Sequence, residues 1–207
     1  MSLCISDLLM LSSARHHHLC PRQVLGVRIG LAGLAALGLE SPVNKTTALI
    51  LIESDGCFAD GIEVATGATI GHRTLRVNDF GKMAATFANV KTGRAIRISP
   101  ALDIRERAWL YAPDEPRHYF AQLRGYQVMP DGELLRIQEV VLNPALEELI
   151  SKPIVRVTCD YCGEEIISER EVLVNGVVLC RTCANDGYYL IKPMPAQMCR
   201  IIERPSN

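Results

Sequence analysis

The sequence predicts an α+β core followed by a small cysteine-rich unit. Helical patterns cover residues 5–14 and 21–38 and return at 102–125, whereas β-branched apolar runs at 45–53 and 74–99 predict strands. Two Cys-x-x-Cys pairs follow beyond residue 150, where the apolar runs shorten. The chain is therefore expected to divide into a core of residues 1–150 and a finger of residues 151–207.

Length and composition allow one aliphatic core and exclude several classes of protein. Of the 207 residues 48% are hydrophobic, and the formal net charge of −1 gives the chain as a whole no attraction to polyanions. No apolar run is long enough to span a membrane, and residues 1–15 lack the basic start of a secretory signal. We expect a cytoplasmic protein with no membrane contact.

The first half of the core is predicted to contain two helices, a buried strand and a third helix. Pro21 suits the first turn of the second helix. Gly26, Gly30 and Gly33 give that helix a flat face, which predicts a homodimer contact, with packing inside one protomer as the alternative. The strand is KTTALILIE, and the third helix ends near Gly67.

The second half of the core mixes strands and helices. Three strands are predicted at TLRVNDFG, KMAATFANV and GRAIRIS, joined by Asp-Phe-Gly and Lys-Thr-Gly turns. Helices broken by APDEP follow, and GELLRIQEVVL fits either a strand or a helix. A helical connector, NPALEELISKP, leads into the finger.

The strongest motif is the pair of Cys-x-x-Cys turns, which are separated by seventeen residues. Four thiolates satisfy a tetrahedral zinc ion, and a unit this small needs a metal in place of a core. Two disulfides are the alternative. The run EVLVNGVVLC predicts a hairpin, after which RTCANDGYY is predicted to start a helix, as in a treble clef. We expect structural zinc on Cys159, Cys162, Cys180 and Cys183.

The finger is predicted to contact a protein rather than a nucleic acid. Residues 151–207 carry seven Lys or Arg and seven Asp or Glu, so no excess positive charge attracts a phosphate backbone. Cys199 stands outside the two pairs and is predicted to be a buried hydrophobe.

A second group of candidate ligands lies in HHHLCP and SDGCFAD. In an extended segment His16 and His18 share one face, and Cys20 immediately precedes the second helix. Cys57 begins the third helix, with Asp60 one turn further on. A helix N-terminus favours the thiolate, and two imidazoles with one or two thiolates suit a transition metal, zinc being the first candidate.

Ordinary roles compete with this interpretation. A lone histidine in a loop is usually a surface or packing residue, which is what we expect for His17. Cys20 fits a small buried residue as well as it fits a ligand. On local chemistry alone, His16 and His18 divide evenly between a functional and an ordinary role.

Taken together, these motifs resemble the FmdE family, which is named after formylmethanofuran dehydrogenase. The likeness rests on HHHLCPRQVLGVRIG, ESDGCFADGIEVATGATIG and NDFGKMAATF, followed by the finger. It covers residues 10–100 and, as an accessory module, 155–190. The resemblance implies a mixed sheet packed with helices, a dimer and an appended treble-clef finger.

The resemblance also implies roles for particular core residues. Arg22 and Ala68 depart from the family, which has Gly and Cys there, and Gly-His-Arg at 71–73 replaces Gly-Lys-Gly. The candidate catalytic groups are Cys57, Asp60 and Lys82, the candidate pocket residues are Cys20, Thr66 and Gly67, and the candidate core metal ligands are His16, His18 and Cys57.

For function, the resemblance implies a metal-binding accessory protein of a molybdenum or tungsten formylmethanofuran dehydrogenase or a related C1 oxidoreductase. Two other functions stay open: a stand-alone zinc- or thiol-dependent enzyme using Cys57, and a regulatory adaptor acting through the finger. The sequence has no phosphate-binding loop, no Rossmann glycine pattern and no iron–sulfur spacing, so a redox component is not expected.

Overall fold

Five strands form one mixed sheet in the first of the chain's two units. The computed structural model describes residues 3–150 and 154–190, and the units are Met1–Ile150 and Ser151–Asn207. The elements of the first unit are α1 (Ile5–His16), α2 (Pro21–Ala36), β1 (Ala48–Ile52), α3 (Cys57–Thr66), β2 (Leu75–Val77), β3 (Ala85–Asn89), β4 (Ala95–Pro100), α4 (Ile104–Tyr111), α5 (His118–Val128), α6 (Asp131–Leu134), β5 (Leu135–Val140) and α7 (Leu146–Leu149).

The sheet has the strand order β2-β1-β3-β4-β5. β1 runs parallel to β2 and antiparallel to β3, and the β3–β4 and β4–β5 pairs are also antiparallel. Every residue of β1 is buried, as its unbroken apolar run predicts. The α+β class with a mixed sheet is therefore confirmed.

β2 and β3 do not pair, although a turn between neighbouring strands was expected. β1 lies between them, and the segment of residues 78–83 carries the chain past the end of β1. Backbone bonds hold this segment in place: Asn78 N donates to Ile52 O at 2.8 Å, and Phe80 N donates to Glu53 O at 3.0 Å. The ambiguous run GELLRIQEVVL contains both predicted alternatives, α6 and then β5.

α2 is the central helix of the first unit, with eleven of its sixteen residues buried. Its glycine face packs inside the protomer. A Cβ on Gly26 would lie 2.3 Å from the Phe58 carbonyl of α3, and a Cβ on Gly33 would lie 2.5 Å from the Phe87 ring. The glycine face is therefore not available for the dimer contact, and the homodimer stays a prediction that rests on resemblance alone.

No helix in the described residues, α2 included, combines the length and apolar character needed to cross a membrane.

Arg28 of α2 ties that helix to the end of α5. Its guanidinium is largely buried and donates to the carbonyl oxygens of Tyr126 at 2.7 Å and Met129 at 2.6 Å. It also pairs with Asp131 at 2.7 Å. The last carbonyls of a helix have no partner within the helix, so a cation there is stabilising. Arg28 thereby fixes α5 against α2.

Gln23 joins α1 to the start of α2. Its side chain is fully buried, accepts a hydrogen bond from Cys20 N and donates one to Ser12 O, both at 2.8 Å. This pair of bonds closes the N-terminal turn of α2 and holds the end of α1 beside it. The histidine-rich segment between the helices is therefore anchored at both ends.

The second unit consists of two short antiparallel pairs in its described residues. The strands are β6 (Arg156–Thr158), β7 (Glu165–Ile167), β8 (Val172–Val174) and β9 (Val177–Leu179), paired as β6–β7 and β8–β9. Asn175 and Gly176 connect β8 to β9 with φ of 53° and 82°. Two positive φ angles define the type I′ hairpin turn, so the predicted Asn-Gly hairpin is confirmed.

The contact between α2 and α3 predicts the effect of a single methyl group. A Cβ on Gly61 of α3 would lie 2.5 Å from the Gln23 carbonyl and 2.9 Å from Gly26 Cα. Gly61→Ala is expected to lower the free energy of unfolding by about 1–3 kcal/mol, because rigid backbone must move. Gly132→Ala is the control, since nothing lies within 4 Å of its Cβ position. Equal stability of the two variants in urea denaturation would contradict the close contact.

Candidate functional site

The four finger cysteines form one compact cluster. Their sulfur atoms all lie within 4.8 Å of one another, and Cys162 Sγ is 3.9 Å from Cys180 Sγ. A tetrahedron of sulfurs at the usual zinc–sulfur distance of ~2.3 Å has edges of ~3.8 Å. The cluster therefore has the size needed to hold a tetrahedral metal ion.

Backbone donors prepare one of these thiols for metal binding. The backbone N–H groups of Cys162 and Cys180 are the main reason that the pKa of Cys159 falls to about 6. The Cys180 N to Cys159 Sγ distance is 3.3 Å. Burial and the neighbouring cysteines raise the pKa of Cys183 instead. A cation between the sulfurs offsets this repulsion and favours four thiolates.

A turn, not a helix, carries the second cysteine pair. Ala184 N donates to Cys180 O, and Asn185 then adopts the left-handed conformation with φ of 64°. This conformation ends a helix after its first turn. The helix predicted to follow Cys180 is therefore wrong for the described residues up to 190. Cys199 lies outside the described residues.

A cavity of about 910 Å³ opens in the first unit where four helices begin. Cys20 and Pro21 line it from the start of α2, Cys57 lines it from the start of α3, and the first turns of α4 and α5 form further walls. His18 and Lys82 also line it. The structure thus brings four of the predicted core residues, His18, Cys20, Cys57 and Lys82, to one cavity.

The two thiols of the cavity influence each other. Cys20 is buried and Cys57 is partly buried. Burial, and next the neighbouring Cys20 thiol, raise the pKa of Cys57. A thiolate was expected at this helix start, but desolvation outweighs the helix dipole here. In the absence of a cation, Cys57 is a neutral thiol at pH 7.

The three histidines take different positions. The extended segment predicted for them is wrong, because α1 continues through His16 and His17 is its left-handed cap. His16 Nε2 lies 2.5 Å from Asp60 Oδ2, and neither residue lines the cavity. His18 does line it, and its Nδ1 donates to the His16 carbonyl at 2.9 Å. In the neutral ring this leaves His18 Nε2 as the acceptor or ligand atom.

His16, His18 and Cys57 do not form a metal cluster as compact as the finger. The two imidazole centroids are 6.2 Å apart. In the part of the chain that the structure describes, the finger cysteines are the one group of three or more His, Cys, Asp or Glu whose ligand atoms lie within 4.8 Å. A core metal ion shared by all three side chains requires them to move closer, and this site stays a prediction.

Thr66 and Gly67 lie at the end of α3 opposite Cys57. Thr66 is fully buried, and its Oγ1 donates to the Ile62 carbonyl at 2.7 Å. Gly67 caps the helix with φ of 68° and packs against Pro42. Both residues end the helix, and neither lines the cavity.

Glu53, which follows β1, positions two residues of the cavity. Its carbonyl accepts a hydrogen bond from Lys82 N at 3.0 Å, which holds the turn bearing that lysine. Its carboxylate accepts bonds at 2.5 and 2.8 Å from Arg97 of β4, and this pairing raises the pKa of Arg97. Sequence reasoning missed Glu53 and Arg97 because they are 44 residues apart. A charged residue at the end of a buried strand is the signal that could have found Glu53.

Sequence reasoning also missed most of the cavity lining on α4, α5 and β5. These residues are scattered along the chain, and only the strand order and helix packing bring them together. The missed polar and aromatic residues include Arg105, Tyr119, Gln122, Tyr126 and Arg136.

The fold and clusters define an α+β protein with a separate four-cysteine centre that could bind a metal ion. The chain matches the family model FmdE, described as molybdenum formylmethanofuran dehydrogenase operon, over residues 15–152. This match covers more than half of the sequence. The chain therefore belongs to the FmdE family, and the resemblance found in its motifs is confirmed.

Two individual proteins are similar to this chain. The probable S-adenosyl-L-methionine-binding protein of Archaeoglobus fulgidus is 33% identical over 97 residues, which are 45% of this chain and 26% of that protein. The chain thus spans about a quarter of that relative's length. A tungsten formylmethanofuran dehydrogenase FmdE-like protein from Syntrophus aciditrophicus superposes with a TM-score of 0.58 over 91% of this chain and 96% of its own. At 19% identity, this likeness shows the fold alone.

Tyr126 at the cavity gives the core a measurable pH dependence. Burial raises the pKa of Tyr126 to about 12, whereas an unfolded tyrosine has a pKa of about 10. The folded state therefore holds this proton more tightly. The resulting stability is fully present below about pH 10 and is lost as the pH rises towards about 12, a change of roughly 2–3 kcal/mol.

Tyr126→Phe is expected to lessen the fall in unfolding free energy across this pH window. Urea denaturation at several pH values measures the effect. The control is Tyr161→Phe, which alters an exposed finger tyrosine and is expected to leave the fall unchanged. A Tyr126→Phe curve that parallels wild type would show that burial does not bind this proton.

Proposed function

We propose that the chain is a zinc-binding accessory protein that acts beside a molybdenum or tungsten formylmethanofuran dehydrogenase or a related C1 oxidoreductase. The observation that carries this proposal is the compact four-cysteine cluster appended to an FmdE-family core. The sequence lacks iron–sulfur spacing and nucleotide-binding glycine patterns, which supports an accessory role rather than that of a redox component.

The donor set favours zinc as the finger metal. Four cysteine sulfurs at tetrahedral spacing suit zinc and leave no open position for a substrate. The proposed ligands are Cys159, Cys162, Cys180 and Cys183. Zinc bound there would cross-link the two Cys-x-x-Cys turns of a unit whose short strands bury few side chains.

Exposed apolar side chains support a protein partner for the finger. Leu173, Val174 and Val177 of the β8–β9 hairpin are all exposed, Leu173 to 68%. Apolar residues grouped on one exposed hairpin are typical of a protein contact. The balanced charge of the finger supports the same conclusion over nucleic-acid binding.

A stand-alone zinc- or thiol-dependent enzyme is the second candidate. The observation that favours it is that His18, Cys20, Cys57 and Lys82 line one cavity. An imidazole, two thiols and an amine can bind a metal ion or transfer protons. In this candidate Cys57 is the ligand or nucleophile.

Zinc content distinguishes these sites. Wild-type protein is expected to bind zinc in the finger, and Cys162→Ser should lose that ion because three thiolates bind it more weakly. Residues 154–190 should then become protease-sensitive while the core keeps its unfolding transition. Elemental analysis and limited proteolysis measure both effects, and Cys4→Ser, at an exposed cysteine outside both groups, is the matched control.

Full zinc content and protease resistance in Cys162→Ser would exclude the finger site. A second zinc ion that disappears in Cys57→Ser or His18→Ala would instead support the enzyme candidate.

The accessory role predicts that the partner enzyme co-purifies with the chain. Tagged wild-type protein expressed in its source organism is expected to bring down a molybdenum- or tungsten-containing protein, measured by elemental analysis of the eluate. Replacing Leu173 and Val177 with Ser should abolish this, because an apolar contact is lost. Val141→Ser, at an exposed residue of the core unit, is the control. Absence of both metals from the wild-type eluate contradicts the accessory role.

A further inference from the structure

The cavity of the core unit has an uneven charge. Five of its lining residues are cationic, and none of its lining residues is an aspartate or a glutamate. The whole chain has a net charge of −1, so this positive charge is local. The cationic residues are Arg22, Lys82, Arg97, Arg105 and Arg136.

Most of this charge is not neutralised by the protein. Arg97 is paired with Glu53, but the side chains of the other four cations form no ion pair with any carboxylate in residues 3–150 and 154–190. Other arginines of the chain do form such pairs. They are Arg15, Arg28, Arg94, Arg107, Arg124, Arg156 and Arg181.

Four helices add to the positive potential. The first turns of α2, α3, α4 and α5 all line the cavity, and each has at least eight residues. The N-terminus of a helix carries a partial positive charge and N–H groups without helical partners. Unpaired cations and converging helix starts are independent features, and both favour an anion.

Arg97 is held ready to bind. Its Nε and one terminal nitrogen donate to the two oxygens of Glu53, so the plane of the guanidinium is fixed. Its Nη1 forms no hydrogen bond with Glu53 and keeps its donors. A guanidinium oriented in this way matches the geometry of phosphate oxygens.

The size and the other walls of the cavity indicate an organic ligand. A volume of about 910 Å³ is near the upper end for small-molecule sites, well beyond the space that an inorganic anion fills. Leu25, Met83 and Ile104 supply apolar walls, and the exposed ring of Tyr119 supplies an aromatic surface. An aromatic or aliphatic group could pack there while its anionic end contacts the arginines.

We propose that this cavity binds a small organic diphosphate, with the diphosphate held by Arg22, Arg97, Arg105 and Arg136 and the organic group packed against Tyr119. The site is separate from the zinc-binding finger. It does not depend on the accessory role, so either proposal can fail alone.

Calorimetric titration of the full-length, zinc-loaded protein tests the anionic part of the site. With inorganic pyrophosphate as the probe, wild type is expected to bind with an affinity that falls as salt is raised. Arg22→Gln and Arg136→Gln should each weaken binding about tenfold, because each removes a charge-assisted hydrogen bond. Lys91→Gln, at an exposed lysine outside the cavity, should bind like wild type.

A second titration tests the organic part. Adenosine diphosphate should bind more tightly than pyrophosphate, and Tyr119→Ala should remove that difference. Since the substituted side chains are exposed, unchanged melting curves are expected and serve as the folding control. Absence of pyrophosphate binding to wild type, or equal binding by wild type, Arg22→Gln and Arg136→Gln, overturns the proposal.

Discussion

The close contact between α2 and α3 is the constraint on which the rest of the core depends. At the crossing point Gly26 and Gly61 face each other, and a Cβ on either would enter the opposite backbone. Two helix backbones can approach this closely only where both lack side chains. The approach brings the starts of both helices together, which is why Cys20 and Cys57 share one cavity.

The end of β1 makes a second set of connections. Glu53 uses its carbonyl to hold the Lys82 turn and its carboxylate to hold Arg97. One residue therefore links the central strand to both a loop and a neighbouring strand. An acidic side chain next to a cationic cavity has a specific result. It neutralises and orients one arginine and leaves the remaining positive charge facing the cavity.

Local patterns predicted the local elements and the cysteine cluster. α2, β1, α3 and the β8–β9 hairpin follow from Pro21, an apolar run, Gly67 and Asn175-Gly176. Position in the sheet could not be predicted in this way. β2 lies beside β1 through a parallel pairing that its three residues do not encode.

The same limit applies to the cavity. His18, Cys20, Cys57 and Lys82 belong to short motifs, so their chemistry was visible in the sequence. Arg97 and Arg136 meet only because β4 pairs with β5, in a register that places Arg136 opposite Ser99. The hydrogen bonds that Arg28 makes to the end of α5 have a final consequence. They make two walls of the cavity rigid before any ligand arrives, so the conformational entropy lost on binding belongs mainly to the long cationic side chains, at up to ~2 kcal/mol each.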